Sequence, residues 1–277
     1  MQRLRGLGSG IGCGWRLGPD RIDLSESTAS SAPLGLTGDG APATAVVIGA
    51  SGGVGRAICE LLRSDARYAQ VLALGRSGGE AIDITLDITD ESSIESAAAQ
   101  VSQATAHSGA ALRLVIDATG FLHGDGFEPE KSWRQLDAAH MAHAFAVNAI
   151  GPALLMKHFL PLLPRSGRAV FASLSAKVGS IGDNRLGGWY SYRASKAALN
   201  QLVHTAAIEL ARRQPQAICV ALHPGTVATR LSGPFSKSGL EVQAPEQSAE
   251  RLLATIDGLS ASDSGGFFNH RGEALPW

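Results

Sequence analysis

From Thr44 onward, short apolar runs alternate with stretches of helical period, and this alternation constrains the fold more than any other feature of the chain. Thr44 to Ile48 predicts a first strand and Gly53 to Arg63 a helix. Gln70 to Leu74 and Ala81 to Leu86 predict two further strands, and about Ser92 to Gln103 the helix after them. Leu112 to Ala118 is a near-continuous apolar run, as required of a strand buried on both faces. A long helical region is expected from about Trp133 to Leu163, broken near Gly151-Pro152, where proline removes a backbone donor. Ala169 to Leu174, a helix over Tyr192 to Arg213, Ala217 to Leu222 and a last strand at Gly266 to His270 complete the order. Such an order predicts an α/β chain: a three-layer, doubly wound fold with a mostly parallel sheet of six or seven strands. Ligands of such sheets bind beyond the carboxyl ends of the strands, where the winding reverses.

The bulk composition excludes several function classes. The chain has 277 residues, 44% of them apolar and 18% charged, enough for a large core. Its 24 basic and 25 acidic residues leave a formal net charge of -1, so no global field draws it to a polyanion or an anionic surface. Neither nucleic acid nor membrane is expected as a partner, and apolar runs such as Ala45 to Ile48 fall far short of the ~20 residues that span a bilayer. Cys13, Cys59 and Cys219 lie far apart with no CxxC spacing, which suits a reducing compartment such as the cytoplasm. Residues 1–42 are rich in Gly, Ser, Ala and Pro without either period, and predict a flexible tail ahead of one domain over 43–277. Arg3, Arg5 and Arg16 precede the first acid, Asp20, as in organelle presequences, but the apolar core of a secretory signal is missing.

Between the first strand and its helix stands Gly49-Ala50-Ser51-Gly52-Gly53-Val54-Gly55. Glycines at such a turn permit positive φ and bring the backbone close to a pyrophosphate, whose charge then faces the amides of a helix N-terminus. The spacing is G-x-x-x-G-x-G rather than the commoner G-x-G-x-x-G. Far along the chain, Tyr192-Arg193-Ala194-Ser195-Lys196 places a lysine four residues after a tyrosine, on one helix face. An ammonium beside a phenol lowers the phenol's pKa toward working pH, the condition for general acid or base catalysis, so Tyr192 and Lys196 are candidate catalytic residues. Tyr190 has Ala194 at its fourth position and lacks such a partner.

These two motifs, with the elements between them, resemble the short-chain dehydrogenase/reductase family over about Thr44 to Trp277. Further segments extend the resemblance. Asp87 and Ile88 match the acid-containing segment near the adenine ring, Asp117-Ala118-Thr119-Gly120 stands where the family usually has N-N-A-G, Asn148 matches the asparagine of the long helix, and His223-Pro224-Gly225, with Thr226 and Thr229, resembles the motif beside the nicotinamide. Gly179-Ser180-Ile181, the run from Tyr192 to Asn200 and the ending from Gly265 to Trp277 are most similar to the group around sniffer-type carbonyl reductases and bacterial C-factor proteins.

The resemblance implies a Rossmann-type fold and an NAD(P)-dependent oxidoreductase that interconverts a carbonyl and an alcohol by hydride transfer. Tyr192 would be its general acid/base, with Lys196 bonding the ribose and Asn148 helping to hold a water on the proton path. The cofactor candidates are Gly49, Ser51, Gly52, Gly53, Val54, Gly55, Arg76, Asp87, Ile88, Ala118, Thr119, Gly120, Tyr192, Lys196, Pro224, Gly225, Val227 and Thr229. A serine should hydrogen-bond the carbonyl oxygen. Ser175, nearer the carboxyl edge of its strand than Ser173, is the expected one, although the stretch from Asp183 to Trp189 looks inserted and shifts the alignment. Arg76 follows the second strand with no competing acid, which favours NADP(H) over NAD(H). The family further implies a homodimer or homotetramer acting on a small carbonyl or alcohol. His140 and His143 lie three apart without further ligands, so no metal is expected. The alternative reading is a non-catalytic NAD(P)-binding signalling protein of the C-factor type, which would have no need of Tyr192, Lys196 and Asn148. A sugar epimerase or dehydratase needs a larger C-terminal domain than the stretch after Pro224-Gly225 supplies. Ala228 to Gln243 is expected to form a mobile loop over the site.

Overall fold

The computed structural model describes residues 41–77, 81–124, 126–233 and 241–277. Most of the expected tail lies outside the described residues, as does the 234–240 part of the expected loop. The first half of the sheet is built from β1 (Ala43–Ile48), α1 (Gly53–Arg63), β2 (Tyr68–Gly75), β3 (Ile84–Thr85), α2 (Glu91–Ser108) and β4 (Ala111–Asp117). The second half follows with α3 (Ala138–Phe145), α4 (Gly151–Phe159), β5 (Ala169–Leu174), α5 (Tyr190–Ala211) and β6 (Ala217–His223). A small pair, β7 (Thr226–Val227) and β8 (Val242–Gln243), then α6 (Pro245–Gly258) and β9 (Phe267–Asn269), complete the described elements. The strand order β3-β2-β1-β4-β5-β6-β9, with every ladder parallel, makes the expected doubly wound, Rossmann-type sheet of seven strands. Its winding reverses between β1 and β4, and there the carboxyl ends diverge to leave a crevice.

Period-two alternation explains why the strands are apolar throughout. Val46 and Ile48 of β1 join Val115 and Phe171 in the core under α2, α4 and α5, while Ala45 and Val47 join Leu114 and Val170 in the core under α1 and α6. Helix ends are set by local chemistry: Asp90 caps α2 by accepting from Ser92 N, and Gly109, at φ +70°, ends it.

Several local readings change. The long helical region does not break at Gly151-Pro152: a π-helical turn, Ala146–Ile150, joins α3 to α4 just before it. Pro152 lies in the first turn of α4, where a missing N–H costs nothing. By length and composition the run Ala138–Leu162 could cross a membrane, contrary to the expectation from short apolar runs; here α3 and the π turn pack against α5, and α4 against α2. α5 starts at Tyr190, two residues early. α6 was missed, although Ala249, Leu252 and Ile256 place a buried stripe at helical spacing.

Candidate active site

The carboxyl ends of the strands open into one cleft of about 2120 Å3. Gly49, at φ +80°, turns the chain out of β1 so closely past β4 that an added Cβ would stand 2.9 Å from the Ala118 carbonyl carbon and oxygen. Gly55 is tighter, since its Cβ would meet Gly49 O at 2.3 Å. Ser51, Gly52, Gly53 and Val54 complete this lip of the cleft, and the N-terminus of α1 has no side-chain cap. Bare amides and a backbone that only glycine permits suit a pyrophosphate, so these residues fit the dinucleotide the family implies.

The other cofactor candidates line the same cleft. Arg76, exposed after β2, lies with Asp87 and Ile88 at one end. Thr89 donates its hydroxyl (2.7 Å) and amide (2.9 Å) to Asp87, holding that carboxyl below its usual range. Ala118, Thr119 and Gly120 follow β4, while Pro224, Gly225, Val227 and Thr229 follow β6. Asp117, in the position where the family usually has asparagine, is buried and accepts from Thr119 N (3.0 Å), Thr119 Oγ1 (2.6 Å) and Ser173 Oγ (2.6 Å).

Tyr192 and Lys196 are both buried, and both line the cleft from one face of α5. The expected lowering of the phenol is reversed: burial among Leu122, Ala176 and Trp189 raises the Tyr192 pKa above its ordinary value. Lys196 Nζ donates instead to Leu174 O at 2.8 Å, and burial pushes this ammonium down to about 8 against the opposing pull of Asp117. Asn148, on the π turn, is fully buried. It is not among the residues lining the cleft, because its side chain accepts from Phe121 N (2.8 Å) and donates to Phe121 O (2.8 Å) and Ser195 Oγ (3.0 Å). It ties the loop after β4 to α5. A Cβ added at Gly120 would stand 3.8 Å from both Asn148 Oδ1 and Lys196 Nζ, so three elements converge there.

The two serines of the fifth strand's end part company. Ser173 is wholly buried and is not among the lining residues. Ser175 reaches the cleft wall, yet its hydroxyl donates to Asn200 Oδ1 at 2.6 Å.

Sequence reading missed Glu130. This buried carboxylate accepts from Ser191 N (3.2 Å) and Ser191 Oγ at the start of α5, and lies 3.5 Å from His140 Nδ1. It anchors the turn that presents Tyr192, supplying the acceptor that a helix N-terminus wants. Glu130 O also accepts from the amide of Trp189, whose φ of +52° bends the inserted segment into α5. No sequence signal joins Glu130 to Ser191, because 61 positions separate them.

Comparison with known proteins agrees with this geometry. The short chain dehydrogenase family model matches residues 43–239. The C-signal of Myxococcus xanthus is 38% identical over 142 residues, which are 51% of this chain and 81% of that protein. The NADPH-bound carbonyl reductase from chicken fatty liver is 28% identical and superposes with a TM-score of 0.74, covering 86% of this chain and 100% of that one. The carbonyl reductase Sniffer of D. melanogaster, at 22% identity and a TM-score of 0.73, shares the fold over 86% of this chain and 100% of its own. With 43–239 matched and the glycine turn, Tyr192 and Lys196 gathered at one cleft, the chain belongs to the short chain dehydrogenase family.

Proposed function

We propose that the protein is an NADPH-dependent carbonyl reductase in which Tyr192 protonates the carbonyl oxygen. The observation that carries this reading is a buried phenol sharing the cleft wall with a buried lysine and the glycine turn. A neutral phenol at the cleft wall is in the protonation state from which a proton can pass to a carbonyl oxygen, as reduction requires. NADPH, when bound, supplies the hydride. The chain's own groups bind the pyrophosphate at Gly49 to Gly55, exclude water with Leu122, Ala176 and Trp189, and deliver the proton from Tyr192 Oη. The apolar wall also holds the carbonyl in place, which removes part of the entropic barrier. The experiment is a panel of aldehydes, ketones and quinones with NADPH, followed by loss of NADPH fluorescence. Failure of every substrate together with failure to bind NADPH would remove the reading. A non-catalytic signalling role, suggested by the likeness to C-signal, gives no account of a buried proton donor at the cleft.

Supporting NADP(H) over NAD(H), Arg76 is exposed at the cleft just after β2, where an arginine suits a 2'-phosphate. Arg76→Glu is expected to weaken NADPH binding by about 10- to 100-fold, with NADH affected far less, since a guanidinium–phosphate pair contributes roughly 1.5–3 kcal/mol. Fluorescence titration with both dinucleotides checks this, and equal losses would assign Arg76 no part in the choice. We also assign the protein to a reducing setting such as the cytoplasm, where the buried thiols Cys59 and Cys219 stay reduced.

The reaction's pH dependence follows from the two buried groups. Burial lowers Lys196 to about 8 and raises Tyr192, so on raising the pH the lysine loses its proton first. Reduction is therefore expected to hold steady below the lysine value and to decline as pH rises through about 8. A profile of kcat/KM for NADPH, which reports groups of the free protein, tests this, and a value that stays level from pH ~7 to ~10 would remove Lys196 from the reaction.

A further inference from the structure

Three observations at the end of β5 point the same way. Ser173 Oγ donates to Asp117 Oδ2 at 2.6 Å, within the sheet. Ser175 Oγ donates to Asn200 Oδ1, also at 2.6 Å, and the residue is only 4% exposed. The next residue, Ala176, packs with Leu122 and Tyr192 in a small apolar cluster bordered by Val178, Trp189 and Leu231. The wall beside the phenol thus presents a methyl group, and both serine hydroxyls behind it are directed to the protein's own acceptors. Other donors on this wall are engaged as well: Arg193 donates to Gly188 O and Val178 O, and Lys177 lies 3.6 Å from Asp183.

We propose that Ala176 occupies the place where a hydroxyl would brace the substrate's oxygen, so that no serine helps Tyr192 hold that oxygen. This confines the enzyme to carbonyls activated by an electron-withdrawing neighbour, such as 1,2-dicarbonyls. The inference rests on the reductase reading above and deepens it. In the reduction the carbonyl carbon accepts hydride from NADPH, the C=O π pair moves to oxygen, and the Tyr192 hydroxyl gives that oxygen its proton; NADPH is oxidised to NADP+. Negative charge grows on oxygen before the proton is fully delivered, and each preorganised donor to such an oxygen is worth about 10²–10³ in kcat. A site lacking one such donor turns over carbonyls whose own substituents spread that charge. Ser175 then has a positioning role, fastening the end of β5 to α5 through Asn200.

The test compares 1-phenyl-1,2-propanedione with propiophenone, which lacks the second carbonyl, at saturating NADPH. Native protein, Ala176→Ser and Ser175→Ala are assayed, with NADPH affinity and thermal stability measured for each. Ala176→Ser is expected to raise kcat for propiophenone by about 10-fold or more and to narrow the preference for the dione. Ser175→Ala is expected to lower thermal stability, because it strands Asn200, while leaving kcat within about threefold. A loss of about 100-fold in kcat for Ser175→Ala with normal NADPH binding would overturn the proposal and make Ser175 the donor. So would an Ala176→Ser protein that binds NADPH normally yet turns over propiophenone no faster than the native chain. Should Ser175→Ala fail to fold, the Ala176→Ser arm decides alone. Absence of NADPH binding by the native protein is a separate result that removes the reductase reading itself.

Discussion

Tyr192→Phe is expected to slow carbonyl reduction by about 10³-fold while leaving the fold and NADPH affinity nearly unchanged. The substitution removes one oxygen and keeps the ring, which packs against Leu122 and Ala176 and stands edge-on to Trp189 at 6.2 Å. The apolar packing of the first turns of α5 therefore survives. What goes is the hydroxyl proposed above as the proton donor. Lys196 lies one turn further along α5, with one of its three N–H groups given to Leu174 O at 2.8 Å. Single-turnover consumption of NADPH measures the chemical step, and a thermal melt with a binding titration shows whether anything else changed. A Tyr192→Phe protein within about tenfold of native turnover would place the acid elsewhere.

Gly55→Ala should act on the other half of the site. Its new Cβ would lie 2.3 Å from Gly49 O and 2.9 Å from Gly49 C, and backbone cannot swing aside as a flexible side chain can. Relief requires the turn to open, yet Gly49 is itself wedged against Ala118. The expected result is a loss of about 3 kcal/mol in stability, in the upper range for overpacking. NADPH affinity should fall at least ~100-fold, because the amides facing the pyrophosphate lose their alignment. Urea unfolding and fluorescence titration read the two effects separately. Gly258→Ala is the control: nothing lies within 4 Å of its Cβ position and its φ is not in the left-handed region, so neither quantity should move much. If Gly55→Ala bound NADPH like the native chain, the glycine turn would not be the cradle.

The fold was legible because its signals are local. Each buried parallel strand must be apolar on both faces, so β1, β4, β5 and β6 announce themselves as continuous runs, and the helices between them carry caps and stripes of their own. The site was legible in part for the same reason: the glycine turn and the Tyr192–Lys196 pair each occupy one short segment. Less was legible where a side chain's partner lies far away along the chain. Asn148 ties its side chain to Phe121, Ser175 gives its hydroxyl to Asn200, and Glu130 caps a helix that starts 60 residues later.

The reversed shift at Tyr192 has the same origin. Helical spacing correctly placed Lys196 on the same face, but the sign of the phenol's shift depends on how much water the surrounding elements remove and on where the ammonium finds an acceptor. Those elements come from four separate stretches: Leu122 after β4, Ala176 after β5, Trp189 before α5 and Leu231 after β7. By itself the sequence determined the strands, the glycine turn and the placing of Tyr192 and Lys196 on one helix face, since periodicity, φ requirements and i,i+4 spacing act within a few residues. Only the tertiary structure decided which hydroxyl points where and which charges are stripped of water. Hydrogen bonds and desolvation depend on atoms brought together across the whole chain.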